Sequence, residues 1–171
     1  MIATDLLKDP HKYKARVTVT SKVNEAELHE TEGHEAQVQS SHGLVQPVKE
    51  EHIQRSHHSY ILCTLVSNLE KAFTISPAPR PLDHRLRIVH FDSDSGKEIM
   101  DIMMAAYQGG KHIENKAVGY QEVEAVKIDF REDQGEWLRV CVDGAIVRVE
   151  EGGWLKVVNG KSGEEVLDVV V

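Results

Sequence analysis

Three short runs between Val126 and Val149 place an apolar residue at every second position. That period of two belongs to strands with one buried face, not to helices. Val126, Ile128 and Phe130 alternate with Lys127 and Asp129, and Leu138, Val140 and Val142 alternate with Arg139 and Cys141. Asp143-Gly144 interrupts the pattern, and Ala145, Val147 and Val149 resume it, as in a hairpin closed by a two-residue turn. The same logic reaches outwards. Ala15, Val17 and Val19 alternate with Arg16, Thr18 and Thr20 within Lys14 to Val23. Trp154 to Val158 and Val166 to Val171 flank a second turn signal, Asn159-Gly160. Tyr60 to Val66 (YILCTLV) is apolar without alternation, which predicts a strand covered on both faces. Leu86 to Phe91 (LRIVHF) reads as another strand. Between these two, Pro77, Pro79 and Pro81 exclude regular structure.

One segment reads as a helix. Ser95 and Glu98 have the spacing of a capping box, and Gly109-Gly110 supplies a left-handed stop after Gln108. Nearly every residue between is apolar (Ile99, Met100, Ile102, Met103, Met104, Ala105, Ala106, Tyr107), which predicts a helix covered on most sides. The expected fold is mainly β: a β-sandwich or distorted barrel of about seven to nine strands with one inserted α-helix. It forms a single domain over residues 14–171 after an amino-terminal tail of residues 1–13.

Asn24 to His58 breaks the pattern. It holds seven Glu and six His, with no aromatic residue and no apolar period. It is expected to be a solvated, mobile insertion. His29-Glu30-Thr31-Glu32-Gly33-His34 resembles a zinc-binding H-E-x-x-H with one residue too many. A spacing of five turns the second imidazole about 140° away around a helix. A histidine-rich metal-binding protein is therefore the third reading of the chain, with no particular metal ligand assigned.

Composition excludes other classes. The net charge of −8, from 20 basic and 28 acidic residues, is wrong for a protein that grips nucleic acid through its phosphates. No apolar run reaches the roughly 20 residues of a membrane-spanning helix, and the first residues lack a signal peptide's apolar core. A cytoplasmic protein is expected. The two cysteines, Cys63 and Cys141, both fall in apolar runs and read as buried free thiols. Gly160-Lys161-Ser162 imitates the end of a phosphate-binding loop, but Leu155 stands where its first glycine belongs. No nucleophile, base and acid form a catalytic constellation.

Taken in order, YILCTLV, Ser76-Pro77-Ala78-Pro79, LRIVHF, the capped helix ending in GGKHI, EVEAVKIDF and VCVDGAIV resemble the carboxy-terminal lobe of the diacylglycerol kinase and sphingosine kinase family. The resemblance covers most of Tyr60 to Val158. It implies a β-sandwich lobe that holds a diacylglycerol or sphingoid base and works with an amino-terminal lobe carrying ATP and Mg²⁺. By that resemblance Met100, Met103, Met104, Tyr107 and His112 would face the lipid chain. Asp143 and Gly144 would close the nucleotide side. The family has Glu after this Asp-Gly, where this chain has Ala145. The family's G-G-D-G-T phosphate loop matches nothing in these residues. The resemblance therefore implies a lipid-binding lobe that does not transfer phosphate alone, with peripheral association at membranes. A stand-alone β-sandwich that binds lipid or protein without catalysis is the rival reading.

Overall fold

The computed structural model describes residues 10–23, 47–78 and 83–160, together with the backbone of 167–170. Its elements run in the order β1 (Tyr13–Lys22), β2 (Val48–His52), β3 (His57–His58), β4 (Tyr60–Thr64), β5 (Asn68–Glu70), β6 (Phe73–Thr74) and β7 (Arg87–Phe91). Helix α1 (Gly96–Ala106) and a 3₁₀ turn (Lys111–Glu114) follow. The rest is β8 (Val118–Glu122), β9 (Ala125–Phe130), β10 (Arg139–Val142), β11 (Ala145–Arg148), β12 (Trp154–Asn159) and β13 (Leu167–Val170). The chain is mainly β, as its alternation predicts.

Two antiparallel sheets organise it. The larger has the order β13-β12-β9-β1-β2, with β3 also paired to β1; the smaller has the order β4-β7-β8. Register fixes the faces. Val17, Ile128 and Leu155 stand opposite one another across β1, β9 and β12, as do Val19, Val126 and Val157. These residues are buried and share one core with Leu86, Ile88 and Val123, against which Ile61 and Cys63 also pack. The other face of the small sheet carries Val89, Phe91 and Val118. They form a second core with Phe73, Ile75 and, from α1, Ile102 and Ala106. The layers are therefore large sheet, small sheet, helix. This explains why YILCT has no polar face: Ile61 and Cys63 meet the first core, Tyr60 and Leu62 the second.

Three features differ from the sequence reading. First, part of the polar insertion is ordered. Residues 24–46, including His29 and His34, lie outside the described residues, but β2 pairs with β1 from Thr18↔His52 to Lys22↔Val48. Next, Tyr13↔His58 and Lys14↔His57 extend that edge, so the expected tail already enters β1 at Tyr13. A strand on the rim of a sheet needs no apolar period, and charges such as those of Lys49, Glu50 and Glu51 keep it from pairing with other chains. Among the described residues there are thirteen strands where seven to nine are expected, several of them only two or three residues long.

Second, α1 is covered on one side only. Its contact stripe is Ile99, Ile102, Met103 and Ala106, the i, i+3, i+4, i+7 pattern. Met100, Met104 and Tyr107 are exposed by 41%, 50% and 46%. Third, the capping box is half made. Ser95 Oγ accepts from the Glu98 amide at 3.3 Å, but the Glu98 carboxylate accepts from Ser93 Oγ at 2.6 Å instead of reaching back. The stop is built as expected. Gly109 and Gly110 have φ of +73° and +83°, and a Cβ on Gly110 would meet Pro77 Cγ at 2.9 Å. Replacing Ser95 by Ala is expected to lower stability by about 1 kcal/mol, measured by urea unfolding.

Candidate ligand-binding site

A cavity of about 670 Å³ lies between the large sheet, β4 and the β10–β11 hairpin. The alternation builds its walls. Ala15, Ile128, Phe130, Leu155 and Val157 present their apolar side from the large sheet, Ile61 and Cys63 from β4, and Val140 and Val142 from β10. The hairpin pairs within itself and with neither sheet, so it flanks this space without filling it. Asp143 and Gly144 form its turn with φ of +47° and +86°, the left-handed pair that a tight hairpin needs.

Polar groups are few among mostly apolar ones, as in sites that take an apolar ligand. Tyr13, Thr64, Arg139 and Asp143 are among the lining residues. At Tyr13 the wall is braced by rings. His11 stacks on Trp137 with centroids 3.9 Å apart, Tyr13 meets both edge-on, and the Arg139 guanidinium lies 5.5 Å from the Trp137 centroid. The buried Glu132 carboxylate ties this end together, accepting from the Lys14 amide at 2.6 Å and lying 3.2 Å from His11 Nε2. Inside, burial pushes the Cys63 thiol and the Tyr60 hydroxyl each up to about 12. Cys63 therefore stays a neutral thiol and is no nucleophile near neutral pH. Cys141, read from sequence as buried, is exposed, because on β10 it falls on the alternate face from Val140 and Val142.

The structure brings only some of the sequence-predicted residues to this cavity. Asp143 and Gly144 line it. Met100, Met103 and Met104, on α1, and Tyr107, which caps it, do not; they lie beyond the small sheet. Tyr107 instead donates its hydroxyl to Glu70 and packs against the Phe73 ring at 4.8 Å. His112 is buried, and its Nε2 donates to the Ile75 carbonyl at 2.9 Å, which pins the turn after α1 to the chain after β6. Burial lowers its pKa, so it is a neutral structural imidazole here. Sequence reasoning missed the inner faces of β1, β9 and β12 as cavity walls. The signal was present in their alternation, but alternation does not say which apolar faces stay apart.

Among the described residues no group of three His, Cys, Asp or Glu side chains stands ready for a metal. His52 Nδ1 lies 3.0 Å from Thr18 Oγ1, and His57 Nδ1 lies 3.0 Å from Ser56 Oγ. No helix among the described residues is long and apolar enough to cross a membrane. The chain matches no protein-family model, and no curated protein is significantly similar to it. A half-open, largely apolar space with a few polar groups in its lining can hold a hydrocarbon chain.

Proposed function

We propose that this chain is a lipid-binding β-domain whose inter-sheet cavity takes an acyl or sphingoid chain, in the manner of the lipid-holding lobe of a two-lobe lipid kinase. The observation that carries this reading is the cavity: about 670 Å³, walled largely by aliphatic side chains of β1, β4, β9, β10 and β12. That volume falls inside the range of small-molecule sites, about 300–1,000 Å³. Arg139 and Asp143, at the two ends of β10, are among the cavity's polar lining residues, and either can meet a ligand hydroxyl or amine. In the kinase-like arrangement the Asp143-Gly144 turn is where a nucleotide lobe carrying ATP and Mg²⁺ would approach. Phosphoryl transfer needs a phosphate cradle and a positioned base, so it is not expected of these residues alone. Ala145, in place of the family's Glu, favours the non-catalytic version of the same reading: a lipid binder without phosphoryl transfer.

The test uses a pyrene-labelled long-chain alcohol, titrated with the purified protein and competed with diacylglycerol and with sphingosine. Saturable binding and competition are expected. Val142→Trp, which fills the cavity from the hairpin, is expected to weaken binding about tenfold or more while the urea midpoint stays near wild type. Absence of saturable binding, or unchanged affinity in the variant, removes the cavity as the ligand site.

A further inference from the structure

Two histidines that the ligand site does not use lie against its wall. His58, on β3, is completely buried, with its imidazole against the backbone of Ala15 and Arg55. His90, on β7, is 7% exposed, and its Nδ1 is unpartnered. Their ring centroids are 6.2 Å apart, with the planes at 76°. Nη1 of Arg55, also buried and unpartnered, lies near enough to act on both rings. Buried polar atoms are nearly always paired, so two buried imidazoles packed ring to ring, with His90 Nδ1 unpaired, mark a seam poised to change state.

The seam adjoins the cavity through the backbone. His58 stands opposite Tyr13 and precedes Ser59, and His90 stands opposite Ile61; Tyr13, Ser59 and Ile61 all line the cavity. On its other side His90 stands opposite Gly119, where a Cβ would meet His90 Nε2 at 2.1 Å. The ring therefore occupies space that only glycine leaves open.

We propose that the His58–His90 pair is a proton-operated latch on the cavity wall: the neutral rings let β3 close on β7, and protonation forces them apart and loosens the bound ligand. The ligand half of this inference rests on the lipid-cavity reading; the latch itself does not. The charges around the pair support it. Arg55 disfavours protonation of both rings, and His58 further disfavours that of His90. The carboxylate acting on His58 is Asp92, which is already held by Lys12 at 3.1 Å and by the Ser59 hydroxyl at 3.3 Å. Burial is the largest influence on each ring. It lowers the pKa of His58, against smaller raising effects of hydrogen bonds to the backbone at Ala15 and Arg55, and takes His90 down to about 4.

The sign follows from linkage. Water in the opened seam restores an ordinary imidazole, near pH 6.5, so the open state binds more protons than the closed one. Closure is fully favoured above about pH 6.5. It weakens as the pH falls, by up to about tenfold per pH unit per histidine, until His90 itself titrates near 4.

Amide hydrogen exchange on the full chain, corrected for intrinsic rates, tests the latch at about pH 7.5 and about pH 5. Protection of peptides covering residues 57–62 and 87–91 is expected to fall about tenfold or more, while residues 154–159 keep theirs. His90→Phe is expected to reduce that pH response; His90→Asn serves if the first variant does not fold. A uniform loss of protection across all peptides, or an undiminished pH response in the folded variant, overturns the latch. The pyrene-labelled alcohol, which does not titrate, reads the ligand half. Faster release at about pH 5 in wild type but not in the variant is expected. If it binds at neither pH, the lipid-cavity reading fails, and exchange still decides the latch.

Discussion

Truncating Phe91 to Ala is expected to lower the unfolding free energy by about 3–5 kcal/mol. Phe91 is fully buried and is the bulkiest of the fully buried side chains. Its ring lies parallel to that of Tyr60, with centroids 5.2 Å apart and planes 12° apart, and it joins the small sheet to α1 through Val118, Ile102 and Ala106. Removing it takes away apolar burial and leaves a void between two regular layers that cannot easily collapse towards each other. Against a typical total of about 5–15 kcal/mol, such a loss leaves a marginal protein. Leu69→Ala, at a position 51% exposed, is the control and is expected within about 0.5 kcal/mol of wild type. Urea unfolding followed by circular dichroism measures both. A Phe91→Ala cost below about 1 kcal/mol would mean that the helix layer is not anchored through this ring.

The contrast between these two residues shows what a linear pattern can and cannot convey. Alternation in β1, β9 and β12 defines which face is apolar, and the large sheet follows from it directly. The unbroken run YILCT signals two apolar neighbours, and the structure supplies two, the large sheet on one side and α1 on the other. Edge strands escape this reading. Val48–His52 pairs through its backbone along the rim of a sheet, so its side chains carry no periodic trace of the pairing. The helix misleads for the opposite reason. Met100, Met104 and Tyr107 are as apolar as the contact stripe, yet one sheet can cover only one side of a helix. The Asp143-Gly144 turn was legible as local chemistry, because only a few residues tolerate its backbone. Its position beside a cavity was not, since that depends on a hairpin that pairs with neither sheet. The His58–His90 seam was invisible for a similar reason: thirty-two positions separate two residues that meet only because β4 folds back on β7.

Gly119→Ala is expected to destabilise the protein by about 1–3 kcal/mol, as overpacking does in a site that cannot yield. The added carbon would lie 2.1 Å, 2.4 Å and 2.8 Å from Nε2, Cε1 and Cδ2 of His90, so the whole imidazole must move. It has little room to do so. Its Nδ1 is buried, its ring faces that of His58, and Ile61 stands opposite on the neighbouring strand. The glycine's backbone is not the issue, because Gly119 has no left-handed φ; its missing Cβ is. This distinction makes the prediction sharp. If the clash with His90 is the cause, removing the ring removes the penalty. Gly119→Ala in a His90→Ala background is then expected to cost little, and the two substitutions should be non-additive by about 1 kcal/mol or more in a double-mutant cycle. Strict additivity would instead assign the cost to the β8 backbone, and would also weaken the case that the His90 ring is held in a fixed place against the cavity wall.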